Sequence, residues 1–275
     1  MRLSRLATLL LGSAALYACS SEDITNPEPP PNSAVRFINA VADTGAVDIR
    51  AIDQVEFSPY ANSLNFRGGT EYFMTEAKSR QFRVFPTSLN IGVTSTVLLD
   101  ATVDIPANGR YTLLLVGSAR GGTLRFVLIS DDAAPPPAGQ ISVRMVNTAS
   151  GAVSGYLVNV VADPLPGSAT FANVGSVSAS PYVSRATGAA AVRVTDQGSA
   201  TVNASVAGPT GPAALAGAFP AAGVSWAGTA FSVYYFPPGV AGSPQNAVST
   251  PGAVWFVDRN PCDAPAVAGC ATVNP

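Results

Sequence analysis

The groups that could do chemistry in this sequence are few: scattered acids, hydroxyls and three cysteines, with no histidine in 275 residues. Without histidine there is no Ser-His-Asp or Cys-His nucleophile pair. His-ligated zinc, the two-His-one-carboxylate iron site and the usual blue-copper set are excluded as well. Catalysis would fall to carboxylates, tyrosines, the single lysine Lys78 or backbone amides. The acids that stand side by side are Glu22-Asp23 and Asp131-Asp132. Carboxylate-dependent attack on a glycan needs two acids roughly 5 to 10 Å apart in a cleft, and so sparse a set makes that the less favoured reading. Asp131 and Asp132 could instead hold a cation, with Asp43 or Asp48 as further weak candidates. No calcium-loop spacing accompanies them, so the plainer expectation is solvated charge blocking an exposed strand end. The residues therefore predict no catalytic site, no cofactor and no metal.

The elements that carry these residues read as strands. Charged residues make up 12% of the chain, about half the usual share. Gly 25 and Pro 23 supply many turns. Beyond the leader, no stretch keeps a helical apolar period for three turns. The net charge is -2 and no basic stripe exists, which argues against a nucleic-acid partner.

One phrase occurs twice. Val35-Arg36-Phe37-Ile38-Asn39 is followed by Gly45-Ala46-Val47, and Val143-Arg144-Met145-Val146-Asn147 by Gly151-Ala152-Val153. Each copy opens a run of short strands. In the first these are 35–41, 46–52, 71–75, 81–85, 96–105, 111–116 and 124–129. In the second they are 141–147, 156–162, 181–183, 191–194, 200–206, 231–236 and 254–257, with a turn at 219–223 matching 105–109. Strand 111–116 is nearly all apolar, as a strand buried on both faces would be. The aromatic run Tyr234-Tyr235-Phe236 could form a binding platform, but core packing is favoured. The fold class is all-β: two tandem immunoglobulin-like antiparallel β-sandwich domains, at 34–132 and 140–259. A Pro-rich linker, 133–139, joins them.

Residues 1–18 have the layout of an export signal. Arg2 and Arg5 precede an apolar stretch, Leu6–Leu16, that is too short to span a bilayer. Leu16-Tyr17-Ala18-Cys19 resembles a bacterial lipobox, with Tyr17 departing from the usual small residue. That resemblance implies cleavage before Cys19, its acylation, and a membrane as partner. Residues 19–33 read as a Pro-rich tether. Ser20 after the cysteine resembles lipoproteins forwarded to the outer membrane. In the tail, 260–275, Cys262 and Cys270 enclose seven residues. Outside the cytoplasm they should form a short disulfide, contributing about 2–3 kcal/mol.

The opening phrase followed by Asp43-x-Gly45-Ala46-Val47-Asp48-Ile49 resembles the bacterial domain of unknown function 4397. So do 100–103 with 109–117, and the closing strand ending in Asp131-Asp132. The second copy carries the resemblance weakly, with Ser154 where Asp48 would align. The resemblance implies exported, often lipid-anchored proteins with immunoglobulin-like domains and brings no assigned site. The expected function is a non-catalytic envelope module, structural or binding a protein or glycan. A periplasmic accessory to secretion or envelope assembly is the alternative.

Overall fold

A computed structural model describes residues 29–54, 59–211 and 223–261. The leader, Cys19, most of the tether, Cys262, Cys270 and nearly all of the 219–223 turn lie outside the described residues. The chain divides into Met1–Pro31 and a second compact unit, Asn32–Pro275, that holds both repeats.

The first repeat contains β1 (Asn32–Asn39), β2 (Val47–Ala51), β3 (Ala61–Leu64), β4 (Phe73–Glu76), β5 (Ser79–Pro86), a one-turn helix α1 (Ile91–Thr94), β6 (Leu99–Asp104), β7 (Arg110–Val116) and β8 (Arg125–Ser130). The second contains β9 (Gln140–Asn147), β10 (Val153–Val158), β11 (Phe171–Val174), β12 (Ser178–Ala179), β13 (Val183–Ala186), β14 (Ala191–Asp196), β15 (Val202–Ala207), β16 (Ala230–Phe236) and β17 (Gly252–Arg259). Each repeat forms two sheets. The inner sheets run β4-β1-β7-β8 and β12-β9-β16-β17, with β13 also on β9. The outer sheets run β3-β2-β5-β6 and β11-β10-β14-β15. The two halves thus share one strand order. Pairing among the described strands is antiparallel except for β1 with β7 and β9 with β16, so each inner sheet is mixed.

Alternation along the inner strands explains the layering. Val35, Phe37, Leu113 and Leu115 face Val47, Ile49, Phe82 and Val84 in one core. Ile141, Val143, Met145, Phe231, Val233 and Tyr235 face Val153, Phe171, Val192 and Val194 in a second. The intervening residues point the other way, and in an isolated sandwich they would meet water. Instead Ile38, Leu114, Val116, Val146, Tyr234 and Phe236 form a third core. The inner sheets therefore pack on each other, and residues 133–139 do not space two separate domains. Gly69 lets this face close: a Cβ there would lie 2.5 Å from the Phe256 ring. Tyr234, Tyr235 and Phe236 are all buried, as core packing requires.

Several boundaries differ from the sequence reading. Asn32 and Ser33 belong to β1, where Ser33 Oγ donates to Pro106 O at 2.6 Å. Val97 is exposed and β6 starts at Leu99, because β5 ends at Pro86, which has no N–H to extend the ladder. Past Val158, Asp163 Oδ2 accepts from Asn159 N and Val160 N, both at 3.0 Å, and turns the chain out of β10. Strands β3 and β11 were not foreseen. Each is four residues long and holds one non-glycine residue at positive φ, Ser63 (55°) and Asn173 (54°). Each also carries one more residue than the stretch of β2 or β10 it pairs with, a bulge at the same place in both repeats.

A shared third core predicts that the sandwiches unfold together. Leu114→Ala should cost about 2–5 kcal/mol and lower one common calorimetric transition. Two separate transitions in the wild-type chain would contradict the packing.

Candidate functional site

The charged residues of the repeated phrase meet where the inner sheets touch. Arg36 on β1 and Arg144 on β9 point into the interface with side-chain exposures of 2% and 5%. Asp131, just past β8, and Asp258, near the end of β17, are at 0%. Each arginine reaches the closing aspartate of the other sandwich. Arg36 Nη2 donates to Asp258 Oδ1 at 2.5 Å, and Arg144 Nη2 donates to Asp131 Oδ1.

The surrounding contacts repeat in pairs. Arg36 Nε donates to Thr112 Oγ1 at 2.8 Å, and Arg144 Nε to Ser232 Oγ at 2.7 Å. Arg36 Nη1 donates to Val257 O at 2.8 Å, and Arg144 Nη1 to Ser130 O at 2.6 Å. The hydroxyls of Thr112 and Ser232 donate in turn to Asp131 and Asp258, both at 2.5 Å. Tyr72 OH donates to Asp131 at 2.7 Å, and Tyr182 OH to Asp258 at 2.8 Å. Each tyrosine ring also lies under the guanidinium of its own sandwich, 4.7 Å away in both cases.

The electrostatics follow from this geometry. Burial works against the charge on Arg36, but Asp258, Tyr72 and Asp131 outweigh it and hold the guanidinium above its ordinary range. Burial also pushes the Asp258 carboxyl up, against the pull of Arg36 and Arg144. The phenols of Tyr72 and Tyr182 are pushed up mainly by burial, which keeps them protonated as donors. Two guanidinium ions thus face two carboxylates, with the remaining lone pairs taken by hydroxyls. Such a cluster holds surfaces together and leaves no acid free to act as acid or base.

The sequence-predicted residues fall apart in space. Asp131 is a correction: it is not solvated charge at a strand end but a buried partner of Arg144. Asp132 is exposed and accepts from Arg110 N at 2.9 Å. Asp43 is buried in the β1–β2 connection. Its carboxylate accepts from Ser118 Oγ at 2.5 Å, Ala119 N at 2.9 Å and Arg120 N at 3.1 Å. Asp48 Oδ1 accepts from Ser63 N at 2.8 Å and Thr87 Oγ1 at 2.6 Å. These two acids shape the loops of the first sandwich. Among the described residues, no three metal-ligating side chains come together. Sequence reading missed Asp258, Tyr182, Thr112 and Ser232. The available signal was that Val257-Asp258 closes the second repeat as Ser130-Asp131 closes the first.

Residues 33–156 match the family described as a domain of unknown function, DUF4397. The match runs from β1 into β10, so it includes Arg36, Asp131 and Arg144 but stops short of Tyr182 and Asp258. No curated protein matches the chain. Among solved structures, a family 26 carbohydrate-binding module from Eubacterium rectale, in complex with maltoheptaose, is 12% identical. It covers 82% of this chain and 95% of its own, with a TM-score of 0.24. Streptococcal family 41 carbohydrate-binding modules that recognise α-glucan are 11% identical over 62% of this chain and 85% of theirs, with a TM-score of 0.21. A streptococcal virulence factor that binds α-glucan is 17% identical over 62% and 83%, with a TM-score of 0.20. TM-scores this low transfer nothing about ligand to this chain.

Two predictions follow from the buried charges and from Asp43. Removing one partner, as in Arg36→Met or Asp258→Leu, should cost about 3–5 kcal/mol. Arg36→Met combined with Asp258→Leu should cost clearly less than the two single losses together. Additive losses in a denaturant-based double-mutant cycle would show that the pair is not coupled. Burial alone would raise the Asp43 carboxyl, but its hydrogen bonds from Ser118, Ala119 and Arg120 hold it below its usual value of 3.8. A depressed folded pKa contributes stability above the unfolded value and loses it as pH falls. The stability gap between wild type and Asp43→Asn should therefore be full at pH 7 and narrow below about pH 4. A gap independent of pH would contradict this role.

Proposed function

We propose that the protein is a non-catalytic envelope module, exported and held to a membrane by acylated Cys19, that presents its two sandwiches as one rigid binding body. The observation that supports this most directly is the crossed pairing of Arg36 with Asp258 and Arg144 with Asp131. The buried acids are consumed in joining the repeats, which is work for a scaffold. A small cleft lined by Arg110, Asp132 and Arg259 opens beside Asp131 and Asp258, but an acid-base enzyme would need those carboxylates open to substrate, and their side chains are fully covered. The paired strand order of the halves supports reading the second sandwich as a divergent second copy of the DUF4397 domain. The Cys262–Cys270 disulfide would staple the chain end.

A rigid double sandwich offers partners its end loops and its strand edges. A protein or glycan ligand would engage these surfaces. Ser20 favours the outer membrane as the destination.

The test is fractionation of cells producing wild type or Cys19→Ala, with protease added to intact or lysed cells. Wild type should sediment with membranes, and the variant should be released in soluble form. A variant that stays membrane-bound would refute the anchor. Cleavage on intact cells would point to external ligands, and cleavage only after lysis to partners inside the envelope.

A further inference from the structure

One connection of the first sandwich has no role in the arginine–aspartate lock between the sandwiches. Between β5 and β6 the chain runs through residues 87–98, where the matching β14–β15 connection needs only 197–201. From Val84 to Leu99 there is no charged residue. Leu89, Ile91, Val93 and Val97 are exposed at 108%, 83%, 41% and 45%. Apolar surface of this kind, gathered on one loop, marks a contact site.

The loop is built, not loose. Asn90 caps α1 by accepting from Gly92 N at 2.9 Å. Its hydroxyls turn back onto its own carbonyls: Ser95 Oγ donates to Ile91 O at 2.7 Å, and Thr96 Oγ1 to Gly92 O at 3.3 Å. The base is fixed by Thr87 N to Ala46 O at 2.9 Å and Leu98 N to Val84 O at 2.8 Å, with Leu98 and Leu99 packed on the first core. The aliphatic side chains thus project from a fixed stem whose hydroxyls are already satisfied, which lowers the cost of leaving water.

We propose that this tip docks on a bilayer surface, Leu89 and Ile91 entering the acyl boundary. Protein contact sites are enriched in Trp, Tyr and Arg, and the tip has none of them. Arg120, in the β7–β8 connection that Asp43 braces, is exposed and offers a cation to headgroup phosphates while its Nη2 also donates to Gly242 O. Asp43 and Asp48 lie at the same end, bonded to hydroxyl and backbone N–H donors that do not neutralise a carboxylate, so the docking rests on the aliphatic side chains and not on net charge. The proposal draws on the Cys19 anchor for its supply of membrane. The Pro-rich residues between Cys19 and β1 can span about 40 Å, more than the roughly 26 Å length of β1. The weak tip would act as a second membrane signal beside the acyl anchor.

The test uses the mature chain without lipid, as Cys19→Ser, carrying Leu89→Trp, with phosphatidylglycerol–phosphatidylethanolamine vesicles. The expected result is a blue shift, with quenching by brominated acyl chains beyond that of Trp226 and Trp255 in the parent. Ile91→Asp, which touches no core, should lower vesicle partitioning roughly tenfold or more. Unchanged emission at millimolar lipid would overturn the proposal. So would a dimer in light scattering that Ile91→Asp dissolves, since a second copy would then cover the tip. The test protein has no acyl chain, so its failure would leave the Cys19 reading standing. Labelled palmitate incorporation tests that reading separately.

Discussion

An arginine in the middle of a strand, aimed at another sheet, cannot be buried without a carboxylate to meet it. Arg36 and Arg144 both stand in that position, and neither sandwich supplies the acid to its own arginine at closest range. Each obtains it from the closing strand of the other. The desolvation cost of four buried charges is of the same order as their attraction, so the net stabilisation is modest. What the cluster does strongly is select a register. The apolar faces around Ile38, Leu114, Tyr234 and Phe236 could pack in several ways. Only one brings all four charges and their hydroxyl partners into contact.

This constraint explains why the alternation of the inner strands extends to both sides. Thr112 and Ser232 are small hydroxyl residues in strands otherwise filled by large apolar ones. They sit where an arginine Nε needs an acceptor and an aspartate needs a donor. Tyr72 and Tyr182 then cover the guanidinium faces while donating to the closing aspartate of their own sandwich. The pairing is close to two-fold, so one sequence phrase serves both sides of the interface.

The strand content and the repeat were legible from turn chemistry and period-two alternation. Burial of β7 on both faces was legible from its apolar run, as was the core placement of Tyr234-Tyr235-Phe236 on β16. Asp131 was not. A strand-end aspartate followed by a second aspartate looks solvated, and its partner Arg144 belongs to the other repeat. No local pattern announces a contact whose two halves lie in different domains. The bulged β3 and β11 escaped for another reason. Four residues with an αL position in the middle show no alternation to detect. Proline decided the start of β6, where apolar residues alone suggested a longer strand.

The repeats are equivalent in topology but not at their ends. The first keeps Asp43 and Asp48 to brace its loops, while the second has Ser154 in place of Asp48. In return the second sends residues 237–251 across to its neighbour. Val240 N donates to Ala42 O at 3.0 Å, Gln245 Nε2 donates to Thr44 O at 2.8 Å, and Arg67 Nη2 donates to Pro237 O at 2.8 Å. The second sandwich thus supports the loop end of the first. A lock that only joined two domains would not need this. These contacts tie residues 237–251 to the end of the first sandwich that carries the Asp43 and Asp48 turns, and on the proposed reading such bracing lowers the ordering cost of docking there. The ends of the two sandwiches therefore differ in what they do for the fold: the second supports the loops of the first, and the first does not return the support by the same segment.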